Sequence, residues 1–126
     1  MIEVPVVQQA RPIPRRDVSD PAARLLKLLA DPTRRRVFLA LMDGETCNCE
    51  LAGDLGLAQN LISHHVRQLR EAGFVRERRD TGDARWIYYS LDADALADAW
   101  GSLASLVDPA RIRARTPVCP PAEQQP

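Results

Sequence analysis

The chain has 126 residues, of which 45% are hydrophobic and 27% are charged, a composition typical of one small globular domain. It contains no apolar run of about 18 residues, so we expect no membrane span. The first residues lack the features of a secretory signal. We therefore expect a cytoplasmic protein, in which cysteines bind metal or sense redox state more often than they form structural disulfides.

The net charge is zero at pH 7, but the charges are unevenly distributed along the chain. Residues 56–91 carry six arginines against four acidic residues, whereas residues 92–108 carry four aspartates and no basic residue. Because a surface attracts its partner through local charge, the neutral average does not exclude a protein that binds nucleic acid.

The sequence predicts one folded domain between two proline-containing ends. Residues 1–19 are expected to form a flexible N-terminal arm, residues 20–108 the domain, and residues 109–126 a proline-rich tail that carries Cys119. Helix starts are indicated by aspartate–proline pairs at Asp20 and Asp31 and by a capping Asp92. The predicted helices cover residues 20–30, 31–44, 49–56, 57–73 and 92–108.

A β-hairpin is predicted between the fourth and fifth helices, over residues 74–91. Two β-prone runs flank the turn "DTGD", in which we expect Gly82 to supply a positive φ. The apolar positions of the helices indicate which sides are buried. On the fourth helix these are Leu61, Ile62, His65, Val66 and Leu69. On the fifth helix they are Leu96, Trp100, Leu103 and Val107, a stripe expected to form core or dimer interface.

Two short helices joined by residues 56–58 and followed by a hairpin are the parts of a winged helix-turn-helix, an α+β fold that is mainly α. In that fold the second helix enters the major groove of DNA and the hairpin lies along the backbone or minor groove. Glutamine and asparagine can read adenine, arginine can read guanine, and arginines on a wing suit phosphates. The predicted DNA-binding residues are Gln59, Asn60, Ser63, His64 and Arg67 on the fourth helix and Arg78, Arg79 and Arg85 on the hairpin. The alternative is a solvated polar face that contacts nothing.

Two of the three cysteines, Cys47 and Cys49, stand one residue apart where the third helix should begin. The positive end of a helix favours a thiolate, and soft thiolates select thiophilic ions. Two thiolates are too few for an ion that takes three, which makes Cys119 the candidate third ligand. The eleven residues after Asp108 reach at most about 35 Å when extended. The alternatives are that the pair is merely buried and that Cys119 is inert. A metal site at His64 and His65 is not expected.

Three stretches, "LADPTRRRVFLAL", "SHHVRQLREAGFV" and a wing ending in "YYSL", together resemble the ArsR/SmtB family of metal-sensing repressors, over roughly residues 25–92. The resemblance implies a homodimer, joined through its first and last helices, that leaves its operator DNA when an inducer binds. The family's metal box, commonly E-L-C-V-C-D-L, appears here as "ETCNCEL", which nominates Cys47 and Cys49.

The chain departs from the family pattern at several positions. Ala52 stands where arsenite sensors often have a further cysteine. Family members that sense cadmium or lead add cysteines from an N-terminal arm, and the arm of this chain has none. The last helix has no histidine, so a zinc site of the type found there is not expected. Ala58 replaces the serine that usually caps the reading helix, a change that costs about 1 kcal/mol of local stability.

The leading hypothesis is therefore a transcriptional repressor, not an enzyme, that is released by arsenite or antimonite bound to Cys47, Cys49 and Cys119. No cofactor is required. Cadmium or lead as inducer, or a thiol redox or persulfide switch, are alternatives within the same fold. A thiol enzyme or a metal carrier would belong to another class. No acid–base partner stands near the cysteines in sequence, which argues against the enzyme, and the predicted reading face argues against the carrier.

Overall fold

The computed structural model describes residues 20–119 and confirms the predicted order of elements. The predicted arm and the last seven residues of the tail lie outside the described residues. No helix in the described part is long and apolar enough to cross a membrane. The helices are α1 (Pro21–Leu29), α2 (Pro32–Leu41), α3 (Asn48–Leu55), α4 (Gln59–Glu71) and α5 (Ala93–Leu106), and the strands are β1 (Val75–Arg79) and β2 (Ile87–Leu91). A short 3-10 turn, Pro109–Arg111, follows α5.

The three predicted aspartate caps are present. Asp20, Asp31 and Asp92 each accept a hydrogen bond from a backbone N–H of the helix that follows, at 3.0 Å. The helix-turn-helix pair differs, since α3 begins after Cys47 and α4 after Ala58, and neither residue makes a side-chain cap. The turn between α3 and α4 depends on Gly56, whose φ of 67° is the left-handed conformation that ends α3.

The core lies where α2, α3 and α4 meet the hairpin. Its buried residues are Val37, Phe38, Leu41, Leu51, Ile62, Val66, Leu69, Val75 and Tyr89. The prediction for α4 is confirmed for four residues and wrong for Leu61, which is exposed. Leu61 lies next to the buried Ile62 on the helix, and the core contacts only the narrower face on which Ile62, Val66 and Leu69 lie.

The two strands of the hairpin pair antiparallel, from Val75 opposite Leu91 to Arg79 opposite Ile87. The expectation that Gly82 has a positive φ is wrong, because the positive-φ glycines of the described chain are at positions 44, 56 and 73. The loop is instead held by Asp80, whose Oδ2 accepts from the N–H groups of Gly82 and Asp83 at 2.9 Å each. Such an aspartate turn needs no left-handed residue.

Helix α5 packs against α1, and the hydroxyl of Ser102 donates to Asp20 Oδ1 at 2.7 Å. The buried residues on these helices are the small Ala22 and Ala99, which allow the two backbones to approach closely. The predicted stripe on α5 is therefore only partly core. Leu96 packs on the core, whereas Trp100 is 72% exposed and Val107 is exposed.

Candidate inducer and DNA-binding site

The two thiols predicted to bind the inducer lie side by side at the start of α3. The Cys47 and Cys49 sulfurs are 3.5 Å apart, and Cys47 Sγ donates to Glu50 Oε1 at 3.8 Å. Cys47 is only 6% exposed, whereas Cys49 is exposed. Burial raises the pKa of the Cys47 thiol. A raised pKa favours the protonated form of this thiol.

The spacing of the two sulfurs fits one ion held by both. Two metal–sulfur bonds of about 2.3 Å at a tetrahedral or pyramidal angle place their sulfurs about 3.5–3.8 Å apart, and a linear arrangement would need about 4.6 Å. The observed 3.5 Å matches the bent case. The pair can therefore chelate a single atom with little movement of either side chain.

Cys119 does not complete this site within one chain. It is exposed, and no group of three cysteine, histidine, aspartate or glutamate side chains able to hold a metal occurs within residues 20–119. A third thiolate would have to arrive by movement of the segment after Arg111 or from another subunit. The assignment of Cys119 as a ligand stays a prediction.

The residue between the two cysteines joins the thiol pair to the reading helix. Asn48 Nδ2 donates to Ser63 Oγ on α4 at 2.6 Å, while Asn48 Oδ1 is buried without a hydrogen-bond partner. Asn48 is not among the residues predicted from the sequence. The signal that could have found it is a polar residue at the position where the family's metal box commonly has valine.

The residues just before the cysteines are joined to the hairpin. Thr46 and Tyr89 exchange backbone hydrogen bonds of 3.0 Å and 2.7 Å, which adds a one-residue bridge to β2. One residue earlier, Glu45 accepts two hydrogen bonds from Arg78, at 2.8 Å and 3.0 Å, and the guanidinium lies over the ring of Tyr88. Arg78 lowers the pKa of the Glu45 carboxyl, so the pair is ionised at neutral pH. The thiol pair thus has connections to both predicted DNA-contacting elements.

On α4, the helix predicted to read DNA and here called the reading helix, four of the five predicted residues are exposed. These are Gln59, Asn60, His64 and Arg67, and Ser63 is the half-buried partner of Asn48. Asn60, near the start of α4, also has a contact within the chain: its Oδ1 accepts a hydrogen bond from the N–H of Leu61 at 2.9 Å. The next residue along, His65, is buried as predicted, and burial lowers its pKa, which favours the neutral ring.

The three predicted wing arginines are exposed, but each has a partner within the chain. Arg79 donates to the carbonyl of Ala84 at 2.9 Å, and Arg85 pairs with Asp83 at 2.8 Å. Arg78 differs from them in where its partners lie: it bonds to Glu45 on the thiol-bearing segment and lies over Tyr88, whereas Arg85 makes its two bonds to Asp83 within the hairpin loop. The Arg85 side chain is 88% exposed and that of Arg78 is 53% exposed.

A cavity of about 200 Å³ opens beside the thiol pair, between the start of α3, the start of α4 and the hairpin. Its lining residues are Cys47, Asn48, Cys49, Gln59, Arg85, Trp86, Ile87 and Tyr89. A larger groove of about 500 Å³ lies between α2 and α3, but it contains acidic side chains and no thiol. The smaller cavity is the one that joins the cysteines to the reading helix and the wing.

The sequence was compared with known proteins. Residues 31–77 match the model of a family described as "Bacterial regulatory protein, arsR family". The regulator CmtR of Mycobacterium bovis is 41% identical over 68% of this chain and 70% of its own length. The chain belongs to the arsR family. Two other similarities agree with this membership. The arsenic resistance regulator ArsR1 of Pseudomonas putida is 47% identical, and the match spans 53% of this chain and about half, 51%, of ArsR1.

The second similarity is to a crystal structure described as a "possible transcriptional regulator for arsenical resistance". It superposes with a TM-score of 0.56 at 36% identity and covers 69% of this chain and 83% of that chain. Membership in the arsR family makes this protein a transcriptional repressor with a winged helix-turn-helix for DNA, and it excludes the alternative of a thiol enzyme.

Proposed function

We propose that this repressor is released from its operator by a trivalent metalloid, arsenite or antimonite, bound to Cys47 and Cys49, with Cys119 as the third thiolate. The observation that carries the proposal is the pair of sulfurs 3.5 Å apart on a segment bonded to both DNA-contacting elements. Relatives named for arsenic resistance support a metalloid as the inducer.

The DNA contacts follow from the exposed side chains of α4 and the wing. Gln59 and Asn60 at the start of α4 would reach base edges, and Arg67 would contact a base or phosphate further along. Arg79 and Arg85 would exchange their intrachain partners for phosphates of the backbone. Contacts of the second kind give affinity without sequence information.

A homodimer is supported by apolar side chains that the single chain leaves exposed. They lie on α1 and on or just after the second half of α5 and comprise Leu26, Trp100, Leu106 and Val107. Exposed apolar patches of this kind mark interfaces between proteins. A second copy of the chain, packed on α1 and α5, would place two reading helices on successive major grooves of an inverted repeat.

Release would begin with a ligand-exchange reaction at the thiol pair. Arsenite is As(OH)₃ at neutral pH, so each new As–S bond replaces one As–OH bond, and the hydroxyl leaves as water with the thiol proton. The raised pKa of Cys47 is therefore no obstacle. Fixing both sulfurs to one atom constrains Asn48 between them, and hence Ser63 on α4. Occupancy releases DNA because the ligated form favours the conformation that binds the operator weakly.

The experiment is a release titration of the full chain on its operator with arsenite, antimonite, cadmium, lead, zinc and peroxide side by side. We expect release by arsenite and antimonite at the lowest concentrations. Release by cadmium or lead alone would contradict the proposal that the inducer is a metalloid. Release by peroxide that dithiothreitol reverses would favour a redox switch.

The DNA-binding surface has its own test with two matched variants. Arg79→Ala should weaken binding to all sequences alike and flatten the plot of log affinity against log salt by about one unit. Asn60→Ala should cost about 1–3 kcal/mol of discrimination at one base pair and leave the salt slope unchanged. If both variants bind DNA as the parent protein does, the assignment of Asn60 and Arg79 to the DNA-binding surface is wrong.

A further inference from the structure

Trp86 is an exposed aromatic residue at the end of the hairpin loop, directly before β2. It is 46% exposed, so part of the indole surface is available to a partner. Together with Arg85 it lines an open depression of about 300 Å³ on the hairpin. Both residues also line the cavity of about 200 Å³ that Gln59, the first residue of the reading helix, shares. Trp86 thus lies between the wing and the start of α4.

The backbone of Trp86 is fixed by the loop that precedes it. Its carbonyl accepts from the N–H of Asp80 at 2.9 Å, and its N–H donates to the carbonyl of Asp83 at 3.0 Å. The Asp80 carboxylate in turn holds the loop by accepting from Gly82 and Asp83. A side chain presented from an ordered backbone loses less conformational freedom when a partner binds it.

The position of Trp86 corresponds to one particular part of bound DNA. In a winged helix-turn-helix, the reading helix enters the major groove and the wing lies along the backbone or the minor groove. The sugar–phosphate strand that separates these two grooves must therefore pass between the two elements. The cavity shared by Gln59, Arg85 and Trp86 lies between the same two elements. The polar and charged residues predicted to bind DNA do not include this tryptophan.

We propose that Trp86 is a further DNA-contacting residue, with its indole packed on a deoxyribose of the strand between the two grooves and its Nε1–H donating to a neighbouring phosphate. The inference rests on the DNA-binding surface of the proposed function and adds an uncharged contact to it. A sugar presents C–H surface and a phosphate presents acceptors, and tryptophan offers an apolar body with a single donor. Contacts to sugar and phosphate fix the position of a protein on DNA without reading its sequence.

The first test compares Trp86→Ala with Arg79→Ala in operator binding by the full chain at several salt concentrations. We expect Trp86→Ala to weaken binding roughly tenfold, because apolar burial and a hydrogen bond are lost. Trp86→Phe, which keeps a ring but lacks the donor, should weaken it about fivefold or less. Since the indole is uncharged, the slope of log affinity against log salt should stay unchanged, whereas Arg79→Ala should flatten it by about one unit.

Two features of the same titrations separate a backbone contact from other effects. The ratio of affinities for operator and for random DNA should be unchanged in Trp86→Ala. The matched control is Leu39→Ala, at an apolar residue of α2 that is 57% exposed and lies outside this cavity, and it should bind as the parent does. A flatter salt slope in Trp86→Ala would mean that the neighbouring arginines had been displaced, and it would refute the direct contact.

The second test keeps the native Trp86 and does not depend on the folding of its variants. The chain contains two tryptophans, so Trp100→Phe leaves Trp86 as the one emitting indole. Acrylamide should quench this emission in the free protein, and saturating operator should protect it. Quenching that operator leaves unchanged overturns the inference.

The two tests also separate this inference from the proposed function. If Arg79→Ala weakens binding and Trp86→Ala does not, the contact of Trp86 alone is refuted. If both variants bind as the parent does, the DNA-binding surface of the proposed function is wrong, and the contact of Trp86 fails with it.

Discussion

The helices of this protein begin in two different ways. The helices α1, α2 and α5 each start at an aspartate that accepts a backbone N–H at 3.0 Å. The helix-turn-helix pair, α3 and α4, starts at Cys47 and Ala58 without any side-chain cap. A cap contributes typically about 1 kcal/mol of local stability. The helices α1, α2 and α5 thus receive local stabilisation at their starts that α3 and α4 do not receive.

The start of α3 has bonds to two neighbouring elements in place of a side-chain cap. The start of α3 is tied to α4 by Asn48 and Ser63 and to the hairpin by Thr46 and Tyr89. Elements that move in regulation belong to the less stable parts of a protein. The thiol pair thus lies at a helix start that has no side-chain cap, on a segment bonded to both α4 and the hairpin.

The largest expected effect comes from removing either thiol of the pair. Cys47→Ser and Cys49→Ser should each still fold and bind operator, because serine is close in size and neither cysteine caps α3 by a side-chain hydrogen bond. The arsenite concentration needed for release should rise by roughly a hundredfold or more, because one arsenic–sulfur bond is lost. A hundredfold change corresponds to about 2.7 kcal/mol of binding free energy. Full arsenite sensitivity in either variant would remove that cysteine from the site.

A smaller effect is expected from the C-terminal tail, which lies outside both the capped and the uncapped helices. Cys119→Ser, or truncation after Thr116, should weaken the arsenite response by about an order of magnitude, since the exposed Cys119 must be recruited to a preformed pair. The ultraviolet absorbance from sulfur-to-arsenic charge transfer should fall in proportion to the lost bond. The response to phenylarsine oxide should survive and serves as the control. An unchanged arsenite response and absorbance would make Cys119 a bystander.

The connection between the two uncapped helices can be broken at Asn48. A side-chain hydrogen bond contributes about 1 kcal/mol net, so Asn48→Ala should reduce the ratio of operator affinities without and with arsenite by about fivefold. Calorimetry should show arsenite binding to the thiols itself unchanged. Asn48→Asp should restore the ratio, because its carboxylate can accept from the Ser63 hydroxyl. A parent-like ratio in Asn48→Ala would mean that coupling runs through the hairpin instead.

The smallest expected effect is obtained by giving α4 the cap it lacks. Ala58→Ser should stabilise the protein by about 1 kcal/mol and raise its Tm by roughly 4–8 °C. Ala97→Ser, at an exposed position inside α5, is the matched control and should bring no gain. If local weakness of α4 matters for induction, the capped variant should also need more arsenite for release. Greater stability with an unchanged response would separate the missing cap from sensing.

The sequence alone was sufficient for features that depend on neighbouring residues. Aspartate–proline pairs predicted two helix starts because capping and proline's fixed φ act within one turn. The same applies to the uncapped Ala58, to the end of α3 at Gly56 and to the position of the two cysteines at the start of that helix. The order of the elements, and with it the winged helix-turn-helix, followed from these local signals.

Only the tertiary structure decided how these pieces face one another. A helical period shows that α5 has an apolar stripe, but packing on α1 through Ala99 turned Trp100 outward. Asn48 and Ser63 are fifteen residues apart, and Glu45 and Arg78 thirty-three, so their bonds exist only because the folded chain brings α3, α4 and the hairpin together. The cavity of Cys47 and Trp86 arises in the same way. Local chemistry determined what each segment is, and long-range packing determined what each segment touches.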